Sequence, residues 1–510
     1  MSLISMEFLL FVFLAVVGYY WIPQKFQWIW LLIFSYIYYI SGGLQVTSFL
    51  VFTTITTYLG GVFLEKISEK NMEKQKAKKK KKQILISVLL LNFGVLGVLK
   101  YTNFAIGTVN TLFGAEFNTL QFLLPLGISF YTFQSMGYIL DIYWERTTAE
   151  HNLFRFALFV SFFPQILQGP IGRFSKLGTQ LFEAHSLHSE EIEQGILRIF
   201  WGYFKKMVLA DNAVIFVNAI FDAPDVYDGL AIIGVLAYSI QLYCDFSGGM
   251  DVVIGIAKLF GITLDENFKR PYFAISITDF WHRWHITLGT WMKDYVFYPV
   301  SLSGWMKHFS KFSKKLFGKQ IGRTLPICLA NLIVFLVVGI WHGAAWKFII
   351  YGLYNGLIIA FSGLMAPNYR KWKQKLHIVE DNKGFHFFQI VRTFILVNIS
   401  WFFDIAKDVP TALLMMKHAI TKCNLYQIFE IKIGEASGTK YTLVAILVIL
   451  FGCLAVFIVS FLEESGKDIA VFFARQHWLV KCAVYVGLIL LLPALGQPAG
   501  EAGGFIYAQF

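Results

Sequence analysis

The side chains best suited to chemistry are gathered at two places in this 510-residue sequence. One is Asp279-Phe280-Trp281-His282-Arg283-Trp284-His285, and the other is Gly339-Ile340-Trp341-His342-Gly343. Imidazole is the side chain whose unperturbed pKa lies nearest neutrality, so it suits removal of a proton from a hydroxyl. Apolar surroundings favour its neutral form, the form that acts as a base. His342 stands between Trp341 and Gly343, and the glycine lets a substrate or a backbone come close. His342 is therefore the first candidate base and His285 the supporting one. Trp281, Trp284 and Trp341 are expected to wall the site against water. His282 is assigned a structural or interfacial place. The plain alternative for a histidine in apolar surroundings is a hydrogen bond between helices. It loses weight here because one short basic hairpin joins the two clusters.

Three further residues have the types a polar cavity needs. Gln168-Gly169-Pro170-Ile171-Gly172-Arg173 follows an apolar run, and Gly-Pro cannot continue a helix. The expectation is a re-entrant turn that holds Arg173 at membrane depth or at the interface. Cys244-Asp245-Phe246-Ser247-Gly248-Gly249-Met250-Asp251 places two carboxylates and two glycines between apolar runs. This predicts an unwound segment in which Asp245 and Ser247 line a polar cavity.

Other chemistries fit less well. A zinc site from His282, His285 and His342 would rest on an i, i+3 pair with no HExxH and no cysteine nearby, so no metal is expected. No serine lies in GxSxG. A transporter would show internal repeats with paired broken helices. Breaks near Pro125, Pro170 and Ser247 agree with that reading, but no repeat does.

The elements that must hold these residues are membrane helices. The sequence is 56% hydrophobic and 15% charged, against about 25% charged in soluble domains. Apolar runs close to the ~20 residues that cross a bilayer recur along it. They predict an all-α, polytopic integral membrane protein with about eleven to thirteen spans plus re-entrant and amphipathic segments. Met6–Trp21 is read as a retained first span. A net charge of +12 does not indicate nucleic acid, because it is clustered between apolar runs, where Lys and Arg mark the cytoplasmic side and meet membrane lipid. Expected cytoplasmic loops are 65–83, with five consecutive lysines at Lys78–Lys82; the stretch from Lys307 to Arg323; and the stretch from Arg370 to Lys375. Ile275–Val300 reads as one amphipathic helix, with Trp281, Trp284, His285, Leu288 and Met292 on a single face. Leu325–Ile340 reads as a span that carries His342 about 24 Å beyond Pro326, at ~1.5 Å per residue. A single membrane domain is expected, divided into N-terminal spans (1–118), a core (119–365) and C-terminal spans (366–510).

These residues, in this order, resemble the membrane-bound O-acyltransferase family, and within it the branch of the alginate O-acetylation membrane subunit. The resemblance is carried by Phe163-Pro164 with Gly169-Pro170-Ile171 and Arg173, and by Asp245-Phe246-Ser247-Gly248 with Asp251 and Gly255. It continues through Asn267 to Pro271, Asp279 to His285, Trp291 with Asp294-Tyr295, and Gly339 to Gly343 with Trp346. It covers roughly residues 120 to 360. One departure is Gly249-Met250, where the branch often has Tyr-Ser.

The resemblance implies a ring of tilted helices around a central tunnel, with His342 as catalytic histidine and His285 as the second functional one. It implies an O-acyltransferase in the bacterial cytoplasmic membrane. The acyl group, acetyl in the first reading, comes from a cytoplasmic thioester such as acetyl-CoA or an acyl-carrier thioester, with no permanently bound cofactor. The acceptor is an exported cell-surface polysaccharide, and the implied partner is an extracytoplasmic SGNH-hydrolase-like or related envelope protein. The rival within the fold is D-alanyl transfer to teichoic acid, whose relatives are typically shorter. The rival outside it is a transporter or a subunit of an export complex.

Overall fold

In lipid every backbone N–H and C=O must be satisfied within the protein, which leaves helices as the form for these apolar runs. The computed structural model agrees. It describes residues 1–69, 73–125, 127–166, 168–379, 382–431, 439–467, 469–496 and 505. Among them there is no strand beyond one isolated bridge, between Phe268 and Trp284. Eight helices are long and apolar enough to cross a membrane, and they expose large apolar side chains such as Leu90, Leu450 and Phe451 as a lipid-facing surface. Eight is fewer than the number of apolar runs. Met6–Trp21, Gln27–Ile40, Ile128–Tyr143 and Leu153–Ser161 form helices of 16 residues or fewer.

The chain divides into two compact units, each discontinuous in sequence. The first comprises Met1–Met207, Asp245–Asp265 and Asp468–Phe510. Its helices are α1 (Met6–Trp21), α2 (Gln27–Ile40), α3 (Leu44–Glu69), α4 (Lys74–Phe113), α5 (Ile128–Tyr143), α6 (Leu153–Ser161) and α7 (Phe163–Ile166), followed by α8 (Thr179–Phe182) and α9 (Ser189–Tyr203). Most of the expected loop at 65–83 is helical: α3 runs to Glu69, and Lys78–Lys82 lie in the first turns of α4, which begins after Glu73. Lysine is a good helix former, so α4 continues past its apolar part. At the break expected near Pro125 the chain is not helical over 121–125, and α5 begins only at Ile128.

The second unit comprises Val208–Cys244 and Glu266–Lys467. It holds α10 (Asp211–Asp222), the first half of α11 (Ala231–Leu259), α12 (Ile277–Arg283), α13 (Ile286–Met292), α14 (Tyr298–Ser301), α15 (Gly304–His342), α16 (Trp346–Lys375), α17 (Lys383–Ile405), α18 (Val409–Thr421) and α19 (Thr439–Glu464). The polar loop expected from Lys307 to Arg323 belongs to α15. Gly318, at φ 77° and ψ 173°, breaks that helix and folds it back, so that Gly322 lies against the backbone of Ser313 and Lys314. A turn that needs a left-handed φ and a position with no room for a side chain are both met by glycine. The basic residues 370–375 are likewise the last turns of α16. The last two helices, α20 (Ile469–Ala474) and α21 (Trp478–Leu495), return to the first unit.

Candidate active site

The segment carrying His285 is not the single amphipathic helix that its periodicity predicts. Ser276 starts α12 by accepting from the N–H of Asp279, whose carboxylate in turn accepts from Ile275 N and from Arg283 Nε, both at 3.0 Å. These reciprocal bonds satisfy donors that a helix start leaves open. The helix stops after Arg283. Trp284 is extended and His285 takes the left-handed conformation, φ 47° and ψ 54°. Residues 267–269, remote in sequence, cause the break. Lys269 N donates to Arg283 O at 2.9 Å and Ile286 N donates to Asn267 O at 3.0 Å, on either side of the bridge between Phe268 and Trp284. Such pairing is invisible to a periodicity argument. A left-handed backbone at a non-glycine residue costs of order 1–3 kcal/mol and persists only where its surroundings over-determine it.

His342 is the last residue of α15. Gly343 after it is extended, at φ 178°, and a β-carbon there would lie 2.6 Å from Cδ2 of Phe348. The α15–α16 hairpin is close because Gly339 and Gly352 face each other: a β-carbon on Gly352 would lie 3.1 Å from Gly339 N. His342 is thereby set among rings, 5.2 Å from Trp341, 5.1 Å from Tyr351 and 6.3 Å from Phe348, between centroids. The ring of His285 lies 5.6 Å from the same Trp341. Both histidines are 2% exposed. Burial first, and the proximity of His342 second, hold the His285 imidazole well below the usual histidine value. The structure thus brings together Trp281, His285, Trp341, His342 and Gly343.

A cavity of about 340 Å³ opens beside His285. Trp281, His282, Leu288, Met292 and Lys293 line it, with Asn331, Phe335 and Val338 of α15. Gly289 and Thr290, both exposed, stand at its mouth. Trp281 is fixed by donating from Nε1 to Asn355 Oδ1 at 3.2 Å. His282 therefore stands in the cavity wall, a place the sequence reading did not give it. Trp341, His342 and Gly343 are not among the lining residues, and neither is Trp284. It packs into an aromatic core with Phe280, Phe268 and Trp401, and each such ring pair contributes about 0.5–1.5 kcal/mol beyond its buried area. Asn355 and Tyr351 were not singled out by their sequence context, and Asn267 entered only as the start of a matching stretch, with no role. A carboxamide that caps a helix from twenty residues away leaves no local signature.

Arg173, Asp245 and Ser247 belong to the first unit. The expected unwinding at 244–251 does not occur, because α11 is continuous through it. The glycines serve packing instead. Gly202 and Gly195 of α9 meet Gly248 and Gly255 of α11, where a β-carbon would fall 2.8 and 2.7 Å from the facing carbonyls. Gly249 accommodates the carboxamide of Gln168, so the tyrosine often found there in the branch would not fit this arrangement. Asp245 pairs with Lys206 at 2.7 Å, at 1% and 2% exposure. Lys205 reaches Asp251 at 2.5 Å and Ser247 Oγ at 2.8 Å, and Arg198 reaches Asp251 at 3.0 Å. Both lysines lie in the π-helical turn Phe204–Ala210, between α9 and α10. Arg173 is half-buried in an extended stretch before the π-turn Phe174–Gly178. Among the described residues no three His, Cys, Asp or Glu side chains group as metal ligands.

Comparison with known proteins agrees with this architecture. The family model of the membrane-bound O-acyltransferase family matches residues 145–390. The chain is 32% identical over 471 residues to the probable alginate O-acetylase AlgI of Pseudomonas syringae pv. tomato, covering 91% of this chain and 83% of that protein. It is 30% identical over 437 residues to the peptidoglycan O-acetyltransferase of Helicobacter pylori, covering 78% and 76%. It is 29% identical over 274 residues to the teichoic acid D-alanyltransferase of Bacillus subtilis, covering 53% and 65%. With its multi-pass helical fold, this chain belongs to the membrane-bound O-acyltransferase family, in the branch of the alginate O-acetylases, and is an O-acyltransferase.

Proposed function

We propose that the protein moves an acyl group, acetyl in the first instance, from a cytoplasmic thioester to hydroxyls of an exported cell-envelope polysaccharide. It does so in the bacterial cytoplasmic membrane, with His342 as the base. The observation that carries this reading is the convergence of the His285 and His342 rings on Trp341, with His285 itself in the wall of a cavity of about 340 Å³. His342 takes the proton of the acceptor hydroxyl as its oxygen attacks the thioester carbonyl. The carbon–sulfur bond then breaks, and the thiolate leaves and recovers a proton. The tryptophans exclude water, which would otherwise hydrolyse the thioester. His285 orients the donor. Acetyl-CoA or an acyl-carrier thioester serves as co-substrate; where the attacking hydroxyl is a serine of an extracytoplasmic SGNH-hydrolase-like protein, that protein completes delivery to the polymer.

Acetyl is preferred to D-alanyl because the similarity to O-acetylases extends over far more of the chain than the similarity to the D-alanyltransferase. The purified protein is to be incubated with labelled acetyl-CoA or with a D-alanyl carrier thioester, beside His342→Ala. Thioester turnover that disappears in the variant is expected. Full turnover in a folded His342→Ala protein would remove the assignment, and solute flux without thioester turnover would favour a transporter.

A further inference from the structure

We infer that Asn267 is a positioning residue that fixes the tautomer of His285 and makes its Nε2 a hydrogen-bond acceptor in the acyl-transfer site. The inference rests on the proposed role of His285 in that reaction. The carboxamide oxygen of Asn267 meets three groups: Thr287 N at 2.9 Å, Thr287 Oγ1 at 2.9 Å and His285 Nδ1 at 3.3 Å. A backbone N–H can only donate, so the atom facing Thr287 N is the oxygen and not the amide nitrogen. The nitrogen of His285 that meets the same oxygen must then carry a proton. In the neutral ring Nδ1 is therefore protonated, and the lone pair lies on Nε2.

This bears on mechanism. A histidine that stabilises an oxyanion must offer it an N–H. With Nδ1–H held by Asn267, neutral His285 has no second N–H to offer. Its Nε2 instead receives a hydrogen bond from an N–H or O–H of donor or acceptor, or takes the proton itself. Serving the oxyanion would require the imidazolium, which burial and the nearby His342 disfavour. The other titratable groups that share the cavity with His285 are His282 of α12 and Lys293 after α13, and the neutral polar ones are Thr278, Thr290 and Asn331. Asn267 also secures the backbone around His285, since its own carbonyl accepts from Ile286 N. One residue thus holds both the ring and the left-handed backbone of the histidine.

The test compares Asn267→Ala, Asn267→Asp and His285→Ala in the purified full-length protein, with acetyl transfer from acetyl-CoA followed against pH. Removal of a group that orients a functional histidine lowers turnover about 10–100-fold, so Asn267→Ala is expected to lose kcat on that scale with little change in KM. Asn267→Asp keeps the accepting oxygen and places a carboxylate on Nδ1. It is expected to stay folded and to move the acidic limb of the pH–rate profile to higher pH, by about one unit or more. A profile that superimposes on the parent, or full kcat in Asn267→Ala, overturns the inference. If His285→Ala is inactive while Asn267→Ala is fully active, the inference alone fails. If His285→Ala keeps full activity, the role of His285 fails and takes the inference with it.

Discussion

Asp245→Asn tests whether the acidic segment of α11 serves structure or substrate. Asp245 and Lys206 are 1% and 2% exposed and 2.7 Å apart. Replacing the carboxylate with a carboxamide of the same shape takes a paired charge away from a buried ammonium. Breaking one side of a buried pair costs about 3–5 kcal/mol. At ~1.36 kcal/mol per factor of ten, the folded-to-unfolded ratio falls by about two to four orders of magnitude. Replacing both partners with apolar residues of similar volume, Lys206→Met with Asp245→Leu, is expected to recover most of that loss, because two desolvated charges disappear together. Thermal unfolding of the purified variants in detergent measures both differences, and adding the single variants Lys206→Met and Asp245→Leu closes a double-mutant cycle that isolates the coupling. Acetyl transfer is measured on the same samples. Asp245→Asn within about 0.5 kcal/mol of the parent, or a double variant no better than the single, would refute the reasoning. A double variant that is folded but inactive would return Asp245 to substrate binding, whereas a folded and active one leaves it as scaffold.

Three more predictions follow from the second unit. His285 is held neutral below its ordinary value by burial and by His342, so the unfolded chain binds the proton more readily. Stability should be flat above about pH 6.5 and decline as pH falls below it, and His285→Gln should flatten the acidic side of a plot of unfolding temperature against pH. At Gly289 the nearest atom to an added β-carbon is Trp281 O at 3.6 Å, so Gly289→Phe should fold normally yet obstruct the mouth of the cavity. A raised KM for acetyl-CoA at parental unfolding temperature is the expected result. Gly343→Ala would drive a β-carbon into the Phe348 ring, 2.6 Å from its Cδ2, and the ring must then move beside His342. Overpacking of this kind costs about 1–3 kcal/mol. A marked loss of kcat in a protein that still purifies as a monodisperse species is expected.

The class of protein was legible in composition alone. The amount of apolar sequence exceeds what a water-soluble core can hide, and lipid then dictates helices. The order of the motifs made the family legible, and the placing of His342 at the end of a long helix followed from the apolar run from Leu325 to Ile340. Periodicity did less well wherever a distant partner competes with the local helix. Asn267 to Lys269 pull residues 283–286 out of a helix that their spacing favours. The two carboxylates and the glycines of 245–255 suggested unwinding, but Lys205, Lys206 and the close crossing of α9 keep that stretch helical. The basic stretches looked like loops because their charge is conspicuous, yet lysine tolerates a helix well, and α4, α15 and α16 extend through them.

By itself, then, the sequence determined the solvent of this protein, its helical class and its family, and it named His285 and His342 as the candidates. Those follow from residue type and order. The tertiary structure alone decided that His285 is left-handed, that Asn267 holds its Nδ1, that His282 lines the cavity while Trp284 does not, and that Asp245 is ion-paired. Each of these depends on a contact between residues far apart in the chain, and the cost or gain of such a contact is set only when the helices have packed.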